Sequence, residues 1–232
     1  MQVDLRHQPA LSLAVATLDP NESIKVEPGA MVSYSADITV ETKAEGGFLG
    51  GLKRMFGGEN FFQNEFTAGA RGGEITLAHP LIGDMGIIEV DQRGFMLKSG
   101  GYIASEAGVS FDSQWGGARG FFSGAGLILL RVSGSGKLVY GCYGGVEPRT
   151  LAPGETYVVD TGHIVGFDAT VNFQVQRIGG WKSTLLSGEG LVCHLTGPGR
   201  ILMQTRSEEA FVQWLIPKLP SRTSSSSSGG NR

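Results

Sequence analysis

The side chains that could carry chemistry in this chain are few, and their spacing limits what they could do. There are four histidines, His7, His79, His163 and His194, and two cysteines, Cys142 and Cys193. A metal site on a β-strand needs two ligands one residue apart, because alternate side chains share a face. No two histidines stand at that spacing. His163 lies near Asp160 and His194 follows Cys193, but adjacent strand residues point to opposite faces. These histidines are expected to be satisfied by backbone groups, with no metal bound. The cysteines sit in apolar, strand-like runs and read as buried thiols, not as a disulfide. Gly134-Ser135-Gly136-Lys137 resembles part of a phosphate loop. It lacks the first glycine of that motif, and Leu138 stands where a magnesium-binding Ser or Thr is needed, so a hairpin turn is expected. No Gly-x-Ser-x-Gly elbow is present. Gly124-Ala125-Gly126 and Gly188-Glu189-Gly190 each open a strand, whereas a dinucleotide fingerprint opens a helix. The expectation is a protein with no catalytic residues and no cofactor.

Two sets of residues could instead bind. In the first, Phe48, Leu49, Leu52 and Phe56 surround Lys53 and Arg54. The plain reading is a loop that folds its apolar residues onto the core or a neighbouring subunit. The functional reading is a partner or membrane contact, with the cations meeting phosphate head groups. The second set is Arg71, Lys137 and Arg200, each near a glycine turn. They could form a basic ring that contacts RNA or another anion. Arg119 beside Phe121 and Phe122, and Trp181 beside Lys182, add the aromatics that RNA recognition uses. A net charge of -3 favours ordinary solvated charge over that reading.

Composition bounds the rest. The 232 residues suffice for one substantial β domain, and the near-balance of charge argues against a strongly basic nucleic-acid surface. Asp4, Arg6 and His7 interrupt the N-terminus, so no secretory signal is read there. No window reaches the roughly 18 apolar residues of a membrane-spanning helix. A reducing, cytoplasmic setting is expected.

The elements that must position these residues are strands. The chain has 37 glycines, and the runs between them alternate or are β-branched. Ile38 to Thr42, Glu74 to Leu77, Ile87 to Val90, Tyr157 to Asp160 and Val171 to Gln176 are short and bounded by turn residues, as in an all-β fold. Gly58-Glu59-Asn60-Phe61-Phe62, Gly124-Ala125-Gly126-Leu127-Ile128 and Gly188-Glu189-Gly190-Leu191-Val192 recur at near-equal intervals. Each leads through a glycine turn into Glu74 to Leu77, Lys137 to Tyr140 and Arg200 to Met203, which predicts three equivalent hairpins. Glu27-Pro28-Gly29 and Ala152-Pro153-Gly154 read as matching turns upstream, with Lys98 to Gly101 as the middle counterpart. The expected organisation is one β domain over 1–216 in three repeats, about 1–90, 91–146 and 147–206. A helix over 207–216 follows, capped by Ser207 with Glu208 and Glu209 in its first turn. Its Phe211, Trp214 and Leu215 share a face, read either as a lid on the β core or as a contact surface. Residues 217–232, rich in serine and glycine, are expected to be a disordered tail.

These residues resemble the bacterial and archaeal relatives of the mitochondrial protein named for altered inheritance of mitochondria, number twenty-four. The resemblance rests on Gly50-Gly51-Leu52-Lys53-Arg54, Gly58 to Phe62, Ser187 to Val192, Leu195 to Arg200, Gln204-Thr205 and Val159-Asp160-Thr161-Gly162-His163. It covers roughly residues 1 to 216. It implies three pseudo-symmetric β repeats in a sandwich or distorted double-stranded β-helix. That fold is similar to the tryptophan RNA-binding attenuation protein, whose rings bind RNA, and is called TRAP-like. The resemblance implies no established catalytic residue, and for the mitochondrial relatives a role in inner-membrane organisation. The function expected is a non-enzymatic assembly or scaffold protein that supports membrane-associated complexes. It would form a homo-oligomer, with a trimer considered, and bind a protein partner not identified by the sequence. RNA or anionic-ligand binding is the alternative, and an enzyme with an unrecognised site between repeats is a third.

Overall fold

Runs of Val, Ile, Leu and Phe that alternate with polar residues bury one face of a pleated strand, and the glycines between them allow the chain to reverse. The computed structural model describes residues 1–44, 62–112, 121–122, 127–177 and 191–220. The first seven strands are β1 (Gln2–Arg6), β2 (Leu13–Leu18), β3 (Ser23–Val26), β4 (Met31–Tyr34), β5 (Thr39–Ala44), β6 (Phe62–Thr67) and β7 (Gly73–Ala78). Then come β8 (Met85–Val90), β9 (Phe95–Lys98), β10 (Tyr102–Glu106), β11 (Val109–Asp112), β12 (Phe121–Phe122), β13 (Leu127–Gly134) and β14 (Gly136–Gly141). The last six are β15 (Val146–Leu151), β16 (Thr156–Asp160), β17 (Ile164–Asp168), β18 (Asn172–Arg177), β19 (Leu191–Thr196) and β20 (Gly199–Gln204). An α-helix, α1 (Glu208–Leu215), follows. The protein is thus mostly β, in several antiparallel sheets, with one short C-terminal helix.

Every ladder between these strands is antiparallel. Two sheets contain six strands in a row, β5-β6-β3-β10-β14-β8 and β11-β13-β9-β17-β20-β15. Two smaller sheets run β1-β2-β7-β4 and β16-β19-β18. The ladder from Leu13↔Ala78 to Leu18↔Gly73 has the same six pairs in form as that from Met85↔Gly141 to Val90↔Gly136 and that from Val146↔Gln204 to Leu151↔Gly199. Gly73, Gly136 and Gly199 are equally spaced in the chain. A register shift falls between Met31 and Ser33 in β4, between Tyr102 and Ala104 in β10, and between Ile164 and Gly166 in β17. Such a bulge bends its strand and re-aims the side chains beyond it. A side-chain oxygen after each bulge then accepts a backbone N–H. Glu74 N donates to Ser35 Oγ at 2.9 Å, Lys137 N to Glu106 Oε2 at 2.8 Å and Arg200 N to Asp168 Oδ2 at 2.8 Å.

Three apolar clusters fill the interior. The first centres on Leu18, Ile24, Phe66, Ile75 and Leu77, and draws in Ile103, Ala104 and Val139 from the next strands. The second joins Phe95, Leu97, Tyr102, Val132 and Leu138 to Val165 and Leu202. The third joins Met96, Leu127 and Leu129 to Phe167, Leu195 and Ile201. Each cluster therefore spans two consecutive ladders.

The upstream turns differ from the expected match. Glu27 to Ala30 leads into β4, closed by Ala30 N to Glu27 O at 3.1 Å, whereas Ala152 to Glu155 leads into β16, closed by Glu155 N to Ala152 O at 3.0 Å. Gly29 and Gly154 both hold φ near +80 to +90°. The left-handed backbone common to both turns made two different connections look alike. Lys98 to Gly101 corresponds to Glu27 to Ala30 by position, and likewise to Asp160 to His163, since 3₁₀ turns cover Ser99–Gly101 and Thr161–His163. Of the expected tail, Ile216–Lys218 forms a further 3₁₀ turn, and residues 221–232 lie outside the described ones.

Candidate functional site

Both cysteines are buried, and two of the histidines are held by backbone groups. Burial pushes the Cys142 thiol up to about 11, and Cys142 Sγ donates to Gly144 O at 3.3 Å. Burial pushes Cys193 up to about 12, and Tyr140 likewise to about 12. A thiol that keeps its proton is a poor nucleophile and a poor metal ligand. His79 Nδ1 accepts from Leu81 N at 3.2 Å, so its Nε2 donates to Gly100 O at 3.1 Å. His163 Nδ1 donates to Gln204 O at 2.7 Å. Among the described residues, no group of three or more His, Cys, Asp or Glu could hold a metal ion.

The Asp160 to His163 motif proves to be a structural joint. The Asp160 carboxylate accepts Gly162 N at 2.8 Å, which caps the 3₁₀ turn. Gln204, 4 % exposed, clamps this turn to the strand end beside it. Its Oε1 accepts Tyr143 N at 3.0 Å and its Nε2 donates to Gly162 O at 2.9 Å. The sequence marked Gln204 and the 159–163 run only as parts of the resemblance, and nothing in it said that the two would meet.

The three candidate cations are each held by other groups. Arg71 Nη2 stands 3.3 Å from Asp37 Oδ2. Lys137 Nζ donates to Met1 O at 3.1 Å. Arg200 Nη2 lies 3.5 Å from Asp168 Oδ1, and its guanidinium faces the Phe95 ring at 6.0 Å. They do not occupy matching positions. Lys137 and Arg200 follow Gly136 and Gly199, but the residue that follows Gly73 is Glu74, and Arg71 belongs to the preceding turn. Arg200 borders a groove of about 330 Å³ whose polar lining includes Glu89, Asp91, Arg93, Asp168 and Thr170. Three carboxylates against two guanidiniums give that groove no surplus of positive charge for an anion. Hydrogen bonds from Arg93 hold Asp91 below the usual carboxylate range.

What remains is apolar surface. Ser207 Oγ accepts Ala210 N at 3.3 Å and starts α1, with Glu208 and Glu209 against the positive end of the helix dipole. Lys98 pairs with Glu208, and the Tyr143 ring meets Phe211 edge-on at 5.9 Å. Yet no residue of α1 is buried. Phe211, Val212, Trp214, Ile216 and Leu219 are all exposed, so the helix rests on the β core without closing it as a lid. Tyr143 is the aromatic it meets there, too small a platform to cover such a face. A second apolar strip lies on β4, whose Met31, Val32 and Tyr34 are exposed. Among the described residues β4 is bonded to β7 alone, and β16 to β19 alone. Phe48, Leu49, Leu52, Lys53, Arg54 and Phe56 lie outside the described residues, as do Arg119, Trp181 and Lys182.

A family model described as Mitochondrial biogenesis AIM24 matches residues 3–206. An uncharacterised protein of Streptococcus pyogenes serotype M6 is 25% identical over 212 residues, covering 88% of this chain and 85% of that protein. The crystal structure of a Streptococcus pyogenes protein aligns with a TM-score of 0.77 at 24% identity, over 94% of this chain and 99% of that one. The fold is therefore shared with it.

Proposed function

We propose that this chain, which belongs to the Mitochondrial biogenesis AIM24 family, is a non-enzymatic scaffold that assembles with itself and holds protein partners on apolar surfaces. The fold underlying this reading is three successive copies of one six-stranded unit, β2–β7, β8–β14 without β12, and β15–β20. Three like ladders, three bulges at like places and three like side-chain acceptors support it. In this division β8 belongs to the second unit, so the first ends near residue 78. The TRAP-like arrangement implied by the resemblance is part of the same proposal.

One observation carries the functional reading. α1 and the turn after it present five large apolar side chains and bury none of them. An exposed apolar patch of that kind marks a protein contact. No helix among the described residues is long and apolar enough to cross a membrane, and work at membrane-associated complexes would be through such contacts. The test is light scattering on the pure protein across concentration, with cross-linking in the native cell. A mass that is a defined multiple of 24.5 kDa is expected, and Trp214→Glu is expected to remove cross-linked partners without unfolding the chain. A strict monomer whose Trp214→Glu variant keeps the same cross-linked partners would overturn the reading.

A further inference from the structure

Both six-stranded sheets arise at a junction between consecutive units. In the first, β10 lies beside β3, with Ala104↔Val26, Ser105↔Lys25 and Glu106↔Ile24. In the second, β17 lies beside β9, with Gly166↔Leu97, Phe167↔Met96 and Asp168↔Phe95. A third junction of this kind would take β4 as the bulged strand and β16 as its neighbour, and among the described residues neither has a partner on that edge. The two small sheets are the two halves such a junction would join. Placing β18-β19-β16 against β4-β7-β2 reproduces the strand order of the larger sheets, with β1 added at the end.

Burial marks the same vacancy. Tyr102, Ile103 and Ser105 in β10, and Ile164, Val165 and Phe167 in β17, are 2 % exposed or less. Met31, Val32 and Tyr34 hold the corresponding places in β4, counted from the shared bulge. They are apolar, yet 41, 56 and 43 % exposed. On the other half, Val158 is 48 % exposed, whereas Met96, its counterpart counted back from the 3₁₀ turn, is 1 % exposed. Among the described residues, no strand pairing and no core cluster joins β2–β7 to β15–β20.

We propose that β4 of one copy pairs antiparallel with β16 of a second copy, Ser33 opposite Val159, Tyr34 opposite Val158 and Ser35 opposite Tyr157. This rests on the scaffold reading and gives it an interface. The contact is heterologous, head to tail, so copies add in one direction until a ring closes or a filament grows. An open strand edge supplies the main-chain hydrogen bonds, and the apolar strip supplies burial.

Mixing a Tyr34→Cys protein with a Val158→Cys protein under mild oxidation tests the register. Disulfide-linked heterodimers are expected. Val40→Cys, equally exposed but on β5, should give none with Val158→Cys. Light scattering on a Met31→Lys, Val32→Lys protein should show the mass falling to 24.5 kDa with an unchanged circular dichroism spectrum. If the wild type is oligomeric but neither result appears, the edge pairing is wrong and the scaffold reading stands. If a single chain carrying Tyr34→Cys and Val158→Cys closes on itself as a monomer, the two edges belong together within one chain and the proposal is overturned. A wild type that stays monomeric at every concentration removes both.

Discussion

Gln204 shows how a single polar side chain can tie this fold together. It reaches Tyr143 N, Gly162 O and, at 3.5 Å, Glu208 Oε1, so strand, turn and helix converge on it. Gln204→Ala should leave a backbone N–H and a carbonyl unpaired in a buried place, at a cost of about 1–3 kcal/mol. Denaturant unfolding of the variant against the wild type measures it, and a change below a few tenths would mean water replaces the clamp. The thiols provide a second residue-scale prediction. Burial raises Cys142 to about 11 and Cys193 to about 12, both from 9.0. The neutral form is favoured in the folded state, so the associated stability is whole below pH 9 and declines as pH rises through 9 toward 12. The melting temperature should fall over that alkaline range, and replacing both cysteines by alanine or valine should flatten the fall. At pH 8 a thiol reagent should modify neither cysteine at an appreciable rate until denaturant is added. Of this scale, the sequence made the buried thiols and the backbone-held His163 legible, because apolar flanks and strand periodicity are local. It did not make Gln204 legible, since its partners lie 61 and 42 residues away.

At the scale of elements, the strands were legible and their pairing was not. The glycine turns predicted three hairpins, but among the described residues β6 pairs with β3 and β5 while β7 pairs with β2 and β4. β13–β14 and β19–β20 likewise part into different ladders, because each turn carries the chain across to another sheet. Glycine turns and alternation placed β7, β8, β16 and most of β18, and Ser207 with its two glutamates placed α1. Nothing in the spacing says which strand will lie beside another unit's bulged strand, and nothing in the helix pattern says its apolar face will find no floor. The junction β9–β17 shows what governs such contacts. A Cβ at Gly166 would lie 2.4 Å from the Phe95 ring and 2.5 Å from Met96 O. Ala104 occupies the same register in the β10–β3 junction and carries its methyl there, where Ile24 stands in the place that Phe95 holds in the other junction. Gly166→Ala should therefore force the second junction apart and cost about 1–3 kcal/mol of overpacking. Thermal unfolding of the variant checks this. An unaffected melting temperature would mean that β9 can slide away from β17 without loss.

For the whole molecule, the proposed threefold division would give β8–β14 a neighbour on both sides and β2–β7 and β15–β20 one each. Each core cluster bridges two consecutive ladders, so under that division stability would be a sum of unit and nearest-neighbour terms, with the ends weakest. Native-state hydrogen exchange should reveal this gradient in dilute protein. Amides of β10 and β17, bonded on both edges, should exchange slowest, and those on the free edges of β4 and β16 fastest. Raising the concentration into the assembled range should slow β4 and β16 together while β10 and β17 stay as they were. Slowing confined to α1 would instead locate self-assembly at Trp214 and its neighbours. Slowing of β4 without β16 would require an isologous pairing of two β4 edges, since a head-to-tail contact must protect one strand of each kind in every copy.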